Sequence, residues 1–364
     1  MSISAGSIEA VLNLNSQPFI TGLNNARSQL STFTDNTNSA GDRMTALGGI
    51  MTGVGAAMTK GVTVPLLAAG AGAVKTAADF EAGMSQVQAL TGATGTEFEA
   101  LSEQAKELGS TTMFSASQAS DAMSELASAG FTTKEIMSAM PGLLDLAASG
   151  NVDLATAAGI ASSTLRGFGL EANQATHVSD VLAEAAARTN AGITDMGGAM
   201  AYIAPVAAAM GISIEETAAA VGILSNSGIQ GSKAGTVLRS ALSSLAKPSK
   251  EASELMKQLG FNAYDANGKM LPLSGIIGGL QSSMSGLTDE QKQNSLVTMF
   301  GTEALSGMLA LIEAGSDELN NLTEGFKNCD GSAKNMAETM QNNLKGKITA
   351  FKSALEGAGI AIGE

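Results

Sequence analysis

Tryptophan is absent from this chain, aromatic residues make up only 4% of its 364 positions, and proline occurs 6 times. Few large rings remain to anchor a core, so packing must rest on small and medium aliphatic side chains. A single cysteine, Cys329, rules out a disulfide framework. With one histidine, His177, no Cys/His cluster for zinc or iron can be assembled. Charged residues are sparse at 15%, and the 20 Lys and Arg are outnumbered by 34 Asp and Glu, for a net charge of -14. No Lys/Arg-rich run occurs, which excludes broad phosphate neutralisation, and no specific nucleic acid partner is expected. Residues 1–10 carry neither Lys nor Arg and no apolar run of signal-peptide length, so they do not fit a cleaved secretory signal.

Long hydrophobic runs are missing as well. Three stretches, 44–59, 61–74 and 196–214, lack charge, but Gly, Ser and Thr dilute them below the roughly 20 strongly apolar residues a bilayer span needs, and the last contains Pro205. Each is read as buried helix. The spacing of Gly49 and Gly53 suits close helix contact.

What the chain has is glycine and alanine: 43 glycines in 364 residues, well above the usual ~7%, with no G-X-Y period that would signal collagen. Apolar residues alternate at Ile8, Ala10, Leu12 and Leu14, the period of a short strand. From Phe19 the spacing turns helical, through Leu23, Ala26, Leu30 and Phe33, and ends in a polar joint over Thr34–Asn38. Past Phe80 the pattern predicts a series of short helices. Capping boxes open them at Ser115–Gln118, Thr132–Glu135 and Ser213–Glu216, and glycines close them at 130, 150, 169, 192, 211 and 228. Asn267-Gly268 between short apolar arms predicts a hairpin whose second arm Pro272 cuts short.

The expected fold is therefore all-α, an array or bundle of short Gly-terminated helices with one small β-hairpin and a helical C-terminal extension. Four segments are expected: 1–47, a strand and helix; 48–80, an Ala/Gly-rich apolar helical segment; 81–315, a helical core domain; and 316–364, the start of a helical rod. The closing stretch 358–364 has no helix-ending signal, so the chain is expected to be the front portion of a longer protein.

Candidate chemistry fails on inspection. A Ser or Cys triad needs a base, and His177 lies at a helix position where a surface or capping role suffices. Gly268-Lys269 and Gly346-Lys347 lack the Ser or Thr of a phosphate loop, while Gly53-x-Gly55 and Gly70-x-Gly72 lack the third glycine of a dinucleotide turn. Asp265-Ala-Asn267-Gly268 is too short for a calcium loop. Glu215-Glu216 is the most visible carboxylate pair, but a first-turn position gives it a helix-dipole and capping role. Methionines 113, 123, 137, 140, 196, 200 and 210 recur at helical spacing and are read as core filling. No catalytic, cofactor-binding or metal-ligating residue is assigned, no cofactor is called for, and no enzymatic activity is expected.

The same motifs carry a resemblance. Ala77–Val87, Ser124–Gly130, Ala139–Gly150, Phe168-Gly169, Tyr202–Val206, Glu215–Ala220, Ser227–Ser232 and Met299–Gly301, in this order over residues 60–315, resemble the core region of bacteriophage tail tape measure proteins. The resemblance implies a structural tail protein that templates tube length during assembly and leaves the tube during genome delivery. It implies tail tube protein, tail assembly chaperones and baseplate or tail tip proteins as partners, and a homo-oligomer, a trimer being one arrangement. It places the protein in the tail tube lumen of the virion after assembly in the host cytoplasm. Two alternatives stay open at this level: an ejection protein whose stretch 44–74 contacts the host membrane as a conduit, and a component of a phage-tail-like bacteriocin or injection particle.

Overall fold

A computed structural model describes residues 63–363. The expected strand at residues 8–14, the helix at 19–33, the joint after it, and most of the conduit stretch lie outside the described residues. Within them the regular structure is helical with no strand, so the all-α class holds. The described residues divide into two compact units, one formed by 63–124 with 342–363 and the other by Glu125–Gln341.

In the first unit, α1 (Thr63–Thr91) and α2 (Thr96–Thr111) precede α3 (Ala116–Ser128), and the chain returns as α15 (Leu344–Gly363). α15 packs along α1 and α2, and Phe80, Met84, Val87, Leu101 and Ile360 are buried. Polar ties add direction: Ser353 Oγ donates to the Met113 carbonyl at 2.8 Å, and Ser117 Oγ donates to Glu356 at 2.7 Å. The predicted capping box at Ser115 forms at the start of α3, with Gln118 accepting from the Ser115 amide at 2.9 Å and its own amide donating to Ser115 Oγ at 3.2 Å.

The second unit continues with α4 (Thr133–Gly150), α5 (Leu154–Phe168), a single 3-10 turn (Ala172–Gln174), α6 (Ala175–Arg188), α7 (Ile193–Ala209), α8 (Ile214–Asn226) and α9 (Ser232–Ala246). Then come α10 (Lys250–Leu259), α11 (Leu273–Ser283), α12 (Asp289–Phe300), α13 (Thr302–Lys327) and α14 (Ser332–Gln341). α7 lies against α5 and α9, α8 against α13, α4 against α6 and α14. Small residues set these approaches. A Cβ on Gly235 of α9 would fall 2.9 Å from the Ala199 Cα of α7, and one on Gly142 of α4 would fall 2.7 Å from the Thr176 Cα of α6. The glycine content thus does more than end helices; it lets backbones of neighbouring helices nearly touch.

Local signals explain the helix ends. Thr132 and Ser213 form complete capping boxes with Glu135 and Glu216, as their spacing predicts. Gly169 is a left-handed C-cap, and Gly130, Gly211 and Gly228 also have positive φ. Two glycines act otherwise. Gly150 stays inside α4 and Asn151 takes the left-handed position at φ 49, while Gly192 stands at the start of α7 with φ -74.

At the expected hairpin no strand is formed, although the Asp265 amide donates to the Lys269 carbonyl at 2.8 Å and the Leu271 amide to the Ala263 carbonyl at 2.9 Å. Tyr264 and Met270 make one isolated antiparallel bridge, and the Asp265 carboxylate gathers the Asn267 and Lys269 amides at 2.8 and 2.9 Å. Pro272 opens α11 two residues beyond the bridge, so no second arm has room to extend into a strand. Gly315, at φ 87, kinks α13 from within, and Leu319, Leu322, Phe326, Ala333 and Ala337 beyond it are buried in the same unit. Helical packing of that unit runs on to Gln341. Among the described residues no helix is long and apolar enough to cross a membrane.

Candidate functional site

The polar groups that sequence reading singled out converge on one corner of the second unit. α6 places His177 in its first turn and Asp180 one turn later, on the same face. His177 Nε2 lies 2.9 Å from Glu215 Oε1 in the first turn of α8, and its Nδ1 lies 2.7 Å from Asp330 Oδ1 in the loop before α14. Both ring nitrogens face carboxylate oxygens, so the imidazolium, which donates from both, is the form the geometry favours.

Titration follows from these contacts. The hydrogen bond to Glu215 raises the His177 pKa to about 9, against an opposing effect of burial and with help from Asp330. Burial pushes the Glu215 carboxyl upward, but hydrogen bonds from His177 and Ser213 outweigh it and hold the pKa at about 2. Glu215 is the more enclosed partner, with a side chain 14% exposed, whereas Asp330 is 81% exposed. The His177–Glu215 contact is accordingly the stronger of the two.

Asp180 works beneath this pair. Its buried carboxylate accepts from the Gly331 and Ala333 amides, each at 2.9 Å, and so caps α14 from a helix 150 residues earlier in the chain. Glu216, next to Glu215, closes the Ser213 capping box and also accepts from the Leu273 amide at 3.1 Å, fixing the start of α11. The Glu215-Glu216 pair therefore splits: one carboxylate turns to His177 and the other to two helix starts.

Cys329 sits beside the corner, buried, with Sγ donating to the Phe326 carbonyl at 2.8 Å. Burial first, then Asp180, Glu184 and Asp330, push its thiol up to about 12, so it stays protonated and a poor nucleophile. Among the described residues no group of three or more His, Cys, Asp and Glu is arranged to hold a metal ion. Methionines 123, 140, 196 and 200 are fully buried core residues, whereas 113, 137 and 210, also expected to fill the core, are only half-buried. Gly268-Lys269 lies in the tethered turn at the isolated bridge, and Gly346-Lys347 in the first turn of α15. The sequence reading missed the His177–Asp330 contact and the remote cap by Asp180. The only local hint was the turn-forming Asp330-Gly331 before Ser332.

The His177, Asp180, Glu215 and Glu216 side chains of this corner are all engaged in joining helices. The corner works as a clamp between helices, and the class that the fold defines is an all-α protein. The chain belongs to the phage-related minor tail protein family, whose model matches residues 102–301. It is 48% identical to the tape measure protein of Pneumococcus phage Dp-1 over 98% of this chain and 31% of that protein. It is 35% identical to the probable tape measure protein of Escherichia phage P2, over 86% of this chain and 39% of the relative. A probable tape measure protein of Clostridium phage phiCD119 is 25% identical over 100% of this chain and 39% of its own length. The chain thus spans about a third of the length of these relatives. No solved structure matches.

Proposed function

We propose that this chain acts within a tail tape measure protein that templates the length of a phage tail tube and leaves the tube at genome delivery. The observation that carries the reading is the family match over 102–301 together with 48% identity to a protein named tape measure protein. Helical architecture supports it, because a helix converts residue number into length linearly at about 1.5 Å per residue. The second unit itself folds back into packed helices, so its part in the reading is to make protein contacts, with length set by other helical segments. The partners that fit are tail tube subunits, assembly chaperones and the baseplate or tip complex, with the chain as a homo-oligomer in the tube lumen after assembly in the host cytoplasm. An acidic chain of net charge -14 is drawn to a basic partner and slides from an acidic lumen.

In-frame deletion in the helical part of the phage's protein tests the reading. Removing about 20 helical residues shortens tails by about 30 Å in electron micrographs; tails of unchanged length overturn it.

A further inference from the structure

One helix of the first unit carries an apolar row that stands exposed among the described residues. α15 turns Ser353 and Ile360 inward, yet Leu344, Ile348, Phe351 and Leu355 stand 58%, 46%, 37% and 48% exposed. Their spacing is four, three, four, the seam of a helix that packs against a second helix. Such a continuous exposed apolar row marks an interaction surface.

Charge selects the occupant. Lys345 and Lys352, both exposed, flank one edge of the row, in a chain of net charge -14. The one acid within this span, Glu356, is turned to Ser117 Oγ at 2.7 Å. In the heptad set by the four apolar residues, Lys345 and Lys352 take the same flanking position. An antiparallel second copy would set these lysines against one another, which disfavours self-pairing. The row is also one residue wide, narrower than the face an interfacial membrane helix buries. We infer that the α15 face is a docking seam for an acidic amphipathic helix of another protein, one that lays its own apolar row on Leu344, Ile348, Phe351 and Leu355 and its carboxylates beside the lysines. This surface is independent of any length-setting role.

The test uses the full chain and two labelled heptad peptides that share Leu and Ile seams, one with Glu and one with Lys at the flanking positions. Fluorescence anisotropy at low salt is expected to show binding of the Glu peptide and about tenfold or more weaker binding of the Lys peptide. Ile348→Ser weakens the Glu peptide about tenfold, and Lys345→Glu/Lys352→Glu reverses the preference, with circular dichroism showing both variants folded. Equal binding of the two peptides, binding of neither, or an unreversed preference in the charge-swapped variant overturns the inference. So does a wild-type chain that self-associates through Ile348 in light scattering, or sediments with phosphatidylglycerol vesicles more tightly than it binds the Glu peptide.

Discussion

α8 and α14 belong to the same unit and are held by different physics. α8 buries ten of its 13 residues, among them Ile214, Val221, Ile223 and Leu224, and each large aliphatic side chain there contributes about 1.5–3 kcal/mol. α14 buries Ala333 and Ala337 out of 10 residues, and two methyl groups contribute about 1.6 kcal/mol. Its attachment must lean on polar contacts: the two amides capped by Asp180 and the His177–Asp330 pair just before it. One part of the fold is fastened by area, the other by a few directed hydrogen bonds. Only the second kind can be released at one corner without disturbing the rest.

The sharpest way to break this contrast is at the apolar end. Leu224, fully buried on α8, changed to Ala opens a cavity and lowers stability by about 3 kcal/mol, read as a shifted denaturant midpoint that moves α8 and α14 signals together. Gly235→Ala follows at about 2 kcal/mol, because its Cβ meets the Ala199 backbone and must push α9 away from α7; thermal unfolding reads the loss. Asp180→Ala strands the Gly331 and Ala333 amides and costs about 2 kcal/mol, confined to α14, where limited proteolysis should cut first.

The smallest effect is that of pH. A His177 pKa raised to about 9 means the folded state holds its proton more tightly than the unfolded chain, whose histidine titrates near 6.5. The stabilisation is complete below that unfolded value and is lost as pH rises through about 9. Glu215, held at about 2, contributes above its ordinary value of 4.5 and loses that contribution as pH falls through about 2. The clamp is at full strength from about pH 4.5 to 6.5. Because the imidazole is part-exposed, the alkaline loss is about 1 kcal/mol. Denaturation midpoints at pH 6 and pH 9.5 should differ in the wild type and converge in His177→Gln.

Legibility in the sequence followed the range of each interaction. The capping boxes at Ser115, Thr132 and Ser213 span three residues, so composition and spacing reveal them, and buried Met123, Met140, Met196 and Met200 follow from helical period. The clamp was opaque because its partners lie 38, 151 and 153 residues apart, and a carboxylate that caps a remote helix looks like any other Asp. Glu215-Glu216 looked like one unit, but adjacent residues on a helix point about 100° apart, and here they serve different neighbours. Gly150 and Gly192 show the limit of punctuation: a glycine ends a helix only where the backbone needs positive φ, and elsewhere it admits a neighbour, as Gly150 does for the Ile193 side chain.

Amide exchange measured side by side in the wild-type chain and in Asp180→Ala tests most directly whether the two regions are fastened differently. The predicted result is exchange about tenfold faster or more across residues 332–341, with residues 214–246 unchanged. Equal acceleration in both regions, or none in 332–341, would contradict the account.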